Sequence, residues 1–265
     1  MNQCSTFLSV IVVLYNDVID NIACLSEAKC SPYVKDIVIC DNSTVPNKNA
    51  ERAAALGLEY IAMEGNQGLP CAYKRGVEKS SGSVVCLFDD DSLVESRYFE
   101  AIANSFENDL DLDIALPLVI SNNVVLSPCH FNGFRSKKFE NIASIHICDD
   151  ISGINSGMAI RKSVFDRVQH CQSLFLDFVD HRFILDAKKA ELKISYISIA
   201  ILHQNYSLNS DSKNQAISRL RIFERDARVF FSDSFGKSLY GTLVCVYRRL
   251  KLCLHYHSFK FLYTK

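Results

Sequence analysis

The clearest pattern near the start of the chain is Leu8-Ser-Val-Ile-Val-Val-Leu-Tyr15, a continuous and mostly β-branched apolar run. Such a run predicts a strand buried on both faces, the kind found inside parallel sheets. Helical spacing over residues 18–29 follows, and then an apolar run over 36–41 that ends on Asp41. The alternation continues with a helix over 50–56, a strand over 58–63, a helix over 69–79 and a strand over 83–88. That last strand runs directly into Asp89, Asp90 and Asp91. A helix over 95–107 and a strand over 114–120 complete a β-α-β-α-β-α-β-α-β order. The order predicts an α/β fold with a mostly parallel central sheet flanked by helices. Ligands of such sheets bind beyond the carboxyl ends of the strands, which is where Asn16, Asp41 and the three aspartates fall.

After residue 120 the pattern loosens. Short strands are predicted over 124–126 and 143–148, a strand over 155–160 leading into a helix over 162–168, a helix over 178–190 and an extended segment over 194–203. Two polar-faced helical segments, 213–231 and 237–257, close the chain. No repeat or low-complexity linker interrupts it.

Composition adds limits. The 265 residues are 48% hydrophobic, enough for an ordinary core, and the formal net charge of -1 gives no reason to expect nucleic acid as a partner. The eleven cysteines are irregularly spaced, with no C-x-x-C pair. They read as small buried hydrophobes in a reducing compartment, not as a disulfide or zinc framework. The first apolar run lacks a basic leader and is too short to span a bilayer, and no later segment approaches a transmembrane helix. The expected location is therefore cytoplasmic. One local charge imbalance stands out, because no acid follows Asp233 while Lys237, Arg248, Arg249, Lys251, Lys260 and Lys265 do. Around residues 247–256 these cations alternate with apolar and aromatic side chains. A helix lying on an anionic membrane surface and a terminal helix with solvated charges fit that segment equally well.

The triple aspartate carries the strongest chemical signal. Three adjacent carboxylates repel one another unless a cation or hydrogen-bond donors neutralise them. Hard oxygen ligands suit Mg²⁺ or Mn²⁺, which bridge readily to substrate phosphates. Capping of the next helix explains one acid, not three. Asp41, followed by Asn42-Ser-Thr44, fits either a nucleotide contact or a common turn. There is no G-x-G-x-x-G after the first strand, which weighs against a dinucleotide site.

These residues stand in an ordered set with Ser9-Val-Ile-Val-Val-Leu-Tyr-Asn16, Val38-Ile-Cys-Asp-Asn-Ser43, Gly65-Asn-Gln-Gly-Leu-Pro-Cys-Ala-Tyr-Lys-Arg-Gly76, Leu87-Phe-Asp-Asp-Asp-Ser92, Asn155-Ser-Gly-Met158 and Phe178-Val-Asp-His-Arg-Phe183. The set, which ends at His203, resembles the family 2 glycosyltransferases, inverting enzymes of the GT-A fold. Within that family the Gly-Asn-Gln-Gly and Phe-Val-Asp stretches look most like bacterial rhamnosyltransferases of surface polysaccharide synthesis, including O-antigen and capsule.

The resemblance implies a role for each matched position. Asp89 and Asp91 would be metal ligands for Mn²⁺ or Mg²⁺, with His203 as a further one. Asn16, Asp41, Asn66, Gly68, Lys74 and Asp90 would contact the nucleotide-sugar donor, either dTDP-rhamnose or a UDP-sugar. Asp180 would be the general base that deprotonates the acceptor. It also implies a catalytic domain over 1–208, with a nucleotide-binding half up to about residue 120 and an acceptor half over 121–208, and a C-terminal helical extension over 209–265. The acceptor would be a saccharide carried on a polyprenyl diphosphate, with peripheral contact to the inner membrane. Lys74 stands where the family often has Asn, and Val179 where it often has Glu, which leaves the donor sugar open. A nucleotidyltransferase is the alternative of another class, but residues 14–17 supply neither its glycine-rich loop nor its basic residue. His130, His146 and His170 show no partner at metal-ligand spacing. Asp177 either caps the 178–190 helix or joins Asp180, and Asp149 and Asp150 are candidates for the acceptor cleft.

Overall fold

The computed structural model describes residues 6–204 and 212–263. The alternation appears as β1 (Leu8–Leu14), α1 (Leu25–Cys30), β2 (Val34–Asp41), α2 (Asn49–Leu56), β3 (Glu59–Ala62), α3 (Leu69–Lys79) and β4 (Val84–Asp89). Then come β5 (Ser92–Val94), α4 (Tyr98–Asn108), β6 (Ile114–Ser121), β7 (Val124–Ser127), β8 (Cys129–Phe131), β9 (Ser136–Lys138), β10 (Ile151–Ser152) and β11 (Ala159–Arg161). The chain closes with α5 (Val179–Lys189), β12 (Ile194–Gln204), α6 (Lys213–Phe230) and α7 (Phe235–His255). The expected boundary at 208–209 lies outside the described residues.

The central sheet has the order β3-β2-β1-β4-β11-β6-β12-β5, with β7 beside β6. β3, β2, β1 and β4 are mutually parallel, as are β6 and β12. The expected fold class is borne out, with one difference in the middle of the sheet. β11 is antiparallel and lies between β4 and β6. Every residue of β1 is buried, as its apolar run requires. Its side chains alternate between the two faces. Leu8, Val10, Val12 and Leu14 pack with Phe88, Tyr98 and Phe106, while Ile11 and Val13 pack with Tyr73, Leu87 and Phe183.

Local chemistry decides the ends of the elements. α2 stops at Gly57, which takes a left-handed φ of 69° as a C-terminal cap, and Pro70 opens α3 at a position that needs no N–H. Residues 18–29 are not one helix. The Ile19 N–H donates to Asn49 Oδ1 and the Ala23 N–H to the Asp90 carbonyl, so the segment breaks into a 3-10 turn followed by the short α1. The strand expected over 143–148 is also absent. Asn141 and Ser144 cap a 3-10 turn there instead. The helix expected over 162–168 is a 3-10 turn over Lys162–Asp166.

A second, three-stranded antiparallel sheet, β10-β8-β9, lies against α5. A further apolar cluster unites Phe131 on β8, Leu174 and Val179 near α5, and Phe223, Ala227 and Phe230 on α6. The C-terminal helices are therefore packed onto the segment that leads into Asp180. No helix among the described residues is long and apolar enough to cross a membrane. All ten described cysteines are free, and burial pushes the thiols of Cys24, Cys40 and Cys129 up to about 12.

Candidate active site

The site lies where the parallel strands end. At the end of β1, Leu14 pairs with Asp41 of β2 and Val13 with Asp89 of β4. Beyond β1, Asn16 takes a left-handed φ of 54° and bonds the next crossover. Its N–H donates to Ser43 Oγ at 2.9 Å, and its Oδ1 accepts from the Thr44 N–H at 2.8 Å.

Asp41 is buried and accepts from the Ser43 N–H, Asn47, Asn49 and the Tyr60 hydroxyl at 2.8–3.1 Å. Burial works to raise its pKa, but these donors outweigh it and hold the carboxyl below its ordinary value. Asp41 thus organises the rim of the site, with most of its accepting capacity already used. Asn42 continues the brace, accepting from the Gln67 N–H and donating to the Gly68 carbonyl. Asn66 accepts from the Gly68 N–H at 3.1 Å. Gly68 has φ +82°, and a Cβ there would come within 2.8 Å of Phe175, so only glycine fits this close approach. Leu69 then donates its N–H to the Phe175 carbonyl, tying the third motif to the loop before α5.

The three aspartates form the turn between β4 and β5. Asp89 Oδ2 accepts from the Ser156 hydroxyl and from Gln204 Nε2, the latter at 3.2 Å, and Gln204 also reaches Asp91 Oδ1 at 3.4 Å. Burial raises all three carboxyls, and the charge of Asp89 helps push Asp90 and Asp91 up to about 6. The charge of Asp180 adds to the push on Asp89, so the expected base lies within electrostatic reach of the expected metal ligand. Among the described residues no Lys or Arg takes part in these shifts. A partly buried cluster of acids with only neutral donors is chemically suited to a hard divalent cation, which Asp89 and Asp91 could hold.

That assignment has a pH signature. The folded pKa values lie above the unfolded value near 4, so these carboxyls favour the folded state at low pH. The contribution is lost as pH rises through about 6. A cation binds the ionised form and reverses the loss. Thermal stabilisation by Mn²⁺ is therefore expected to be small at pH 5 and to grow through pH 6 to a plateau above 7. Denaturation scans across that range check it, and a shift independent of pH would contradict it.

Two expected contacts are placed elsewhere. His203 bonds Glu95 Oε1 at 3.1 Å and is exposed, because adjacent strand residues point to opposite faces and Gln204 takes the face of the aspartates. Lys74 is exposed on α3 and lines a cavity of about 660 Å³ with Glu78, Lys162 and Phe165, away from the carboxylates. Its neighbour Tyr73 is fully buried on the side of the site. Burial and then the charges of Asp89 and Asp180 drive the Tyr73 pKa well upward, and its hydroxyl has no hydrogen-bond partner among the described residues.

Asp180 sits in the first turn of α5, half-buried, with the His181 N–H donating to its Oδ1 at 2.7 Å. His181 in turn bonds Ser152 and stacks on Phe131. The loop before it is held by Asp226 of α6. That fully buried carboxylate accepts from the N–H groups of Phe175, Leu176 and Asp177 at 2.8–3.0 Å. Phe178 then takes φ +65°, unusual for a bulky residue, and is clamped by Phe223, Phe230 and Phe231. Asp177 faces Arg219 at 4.0 Å.

The remaining polar groups divide. His170 is buried against Phe183, and burial takes it down to about 3, so it is neutral. His146 is exposed and bonds the Ser144 carbonyl. His130 does find partners, contrary to its sequence spacing. Its Nδ1 lies 2.9 Å from Asp150 Oδ1 and 3.8 Å from Cys148 Sγ, a group whose atoms and spacing can hold a cation. Antiparallel pairing of β8 with β10, with β9 intervening in sequence, creates this contact, which no local spacing reveals.

The model of glycosyl transferase family 2 matches residues 9–169, well over half of the chain. The chain belongs to that family. Its curled sheet flanked by helices is the GT-A fold expected from the motifs. Similar solved structures include GalNAc-T7 with UDP, GalNAc and Mn²⁺, at TM-score 0.61 and 13% identity, covering 83% of this chain and 48% of that one. S. aureus TarS aligns at TM-score 0.53 and 16% identity over 87% of this chain and 44% of that one. TarS 1-349 with UDP aligns at TM-score 0.55 and 14% identity over 89% and 68%. The chain thus spans about half the length of GalNAc-T7 and of full TarS, and these likenesses speak for the fold. No curated protein sequence matches the chain.

Proposed function

We propose that the chain is an inverting glycosyltransferase that moves L-rhamnose from dTDP-rhamnose to a saccharide acceptor carried on a polyprenyl diphosphate, in O-antigen or capsule synthesis on the cytoplasmic side of the inner membrane. The observation that carries the reaction class is the electrostatic proximity of Asp89, in the β4–β5 turn, to Asp180, in the first turn of α5. In the proposed division, residues up to about 120 bind the donor, residues 121–208 the acceptor, and the helices from 209 brace the acceptor side.

The residues have separable tasks. Asn16, Asn66 and Gly68 shape the loops around the donor, and Asp41 fixes the rim against which the base lies. Asp89 and Asp91 would hold a divalent cation, which would neutralise the departing diphosphate. Ser156 and Gln204 hold these two carboxylates in place. Asp180 accepts the acceptor hydroxyl proton as that oxygen bonds to the anomeric carbon and the bond from that carbon to the phosphate oxygen breaks. One displacement of this kind inverts the configuration and needs no enzyme nucleophile.

A UDP-sugar donor is the second reading, favoured by UDP in the GalNAc-T7 and TarS structures. Thermal denaturation with each nucleotide sugar in the presence of Mn²⁺ separates the two. Stabilisation by dTDP-rhamnose supports the rhamnosyl reading. Stabilisation by UDP-sugars alone moves the donor to that class, and a folded protein that responds to none removes the proposal.

A further inference from the structure

α7 is amphipathic in an inverted sense. At 100° per residue, Phe235, Val246, Leu239, Leu250, Leu243 and Leu254 fall within an arc of about 100°, with Tyr247 at its edge, and no charged residue interrupts them. An apolar stripe of that width ordinarily faces the core. Here it faces outward, with Phe235 87% exposed, Leu243 59% and Leu254 76%. The opposite side of the helix does the packing. Gly241 sits against Phe231, Val244 and Cys245 join the aromatic cluster of α6, and Arg249 donates to Glu224 at 2.7 Å. The stripe is therefore surplus to what fastens α7 to the protein, and it runs about 28 Å along the helix.

We propose that this face of α7 lies in the headgroup layer of an anionic phospholipid surface. Charge argues for that occupant. Lys251 is exposed beside one border of the stripe, His255 and Lys237 lie further round on the same side with Lys237 paired to Asp233, and no acid follows Asp233 in the chain. Phe259 and Tyr263 extend the exposed apolar edge beyond the helix, with Lys260 beside them. A cation bordering an uncharged stripe matches a surface that is apolar below and negative above. A second copy of the chain would bring Lys251 face to face with its counterpart, with no acid on the helix to pair it. The helix is not apolar enough to span a bilayer, so the contact is peripheral. The inference is independent of which sugar is transferred, although a membrane site suits a lipid-carried acceptor.

Co-sedimentation of the full chain with phosphatidylcholine vesicles, with or without phosphatidylglycerol, tests it. Binding is expected to rise about ten-fold or more with the anionic lipid and to fall with added salt. L243D combined with L250D should abolish binding and leave the melting temperature and donor binding unchanged, because both side chains are exposed. Lys251→Glu should weaken only the preference for anionic vesicles. Vesicle binding that survives the double substitution would overturn the proposal. So would a dimer that the same double substitution converts to monomer in a protein that ignores vesicles.

Discussion

Asp180→Asn is expected to lower sugar transfer by about 10²–10⁴-fold, the range over which a positioned general base contributes, while donor affinity stays nearly unchanged. The reasoning is geometric. The His181 N–H already occupies one edge of Oδ1, which leaves the rest of the carboxylate for an incoming hydroxyl. The position is in the first turn of α5, where the helix dipole favours the anion. Asparagine keeps the shape and accepts the same hydrogen bond, but it cannot take a proton at neutral pH. Single-turnover rates alongside titrations of the nucleotide sugar separate the two effects. A variant with close to full transfer activity would remove Asp180 from the role of base.

Asp226→Ala is expected to destabilise the fold by about 3–5 kcal/mol, because three buried N–H groups lose a charged acceptor together. For a chain of this size that corresponds to a fall in Tm of about 6–20 °C. The damage should extend beyond stability. Asp226 holds residues 175–177, which set the strained Phe178 and, through it, the start of α5. Where the variant remains folded, the transfer rate should fall more than donor affinity does. Asp226→Asn, which retains part of the accepting capacity, should lie between wild type and Ala in both measures. A variant with normal Tm and normal rate would show that the C-terminal helices do not support the catalytic loop.

The elements that came through from sequence are those whose pattern is local. β1 is a continuous apolar run, α3 occupies residues 69–79 as its spacing and Pro70 require, and Asp89 ends a strand. Side-chain direction was harder to read. Whether His203 or Gln204 faces the aspartates depends on the pairing of β12 with β5, and a strand with period two reverses face at each residue. Tyr73 was within reach of sequence reasoning, because it shares a helical face with Gly76 and Val77 while Lys74 does not. Asp226 carried a signal too, an acid on the apolar face formed by Phe223, Ala227 and Phe230. Ser156 and the meeting of His130 with Cys148 and Asp150 depend on long-range pairing and carried none.

The claim on which the rest depends is that the Asp89–Asp91 turn is the diphosphate end of a donor site. Calorimetric titration of the purified protein with dTDP and with UDP at pH 7.5, first with Mn²⁺ and then with chelator, tests it most directly. The expected result is saturable binding of at least one nucleotide that the chelator abolishes. Binding of equal strength with and without the cation, or no nucleotide binding by a folded protein, would contradict it.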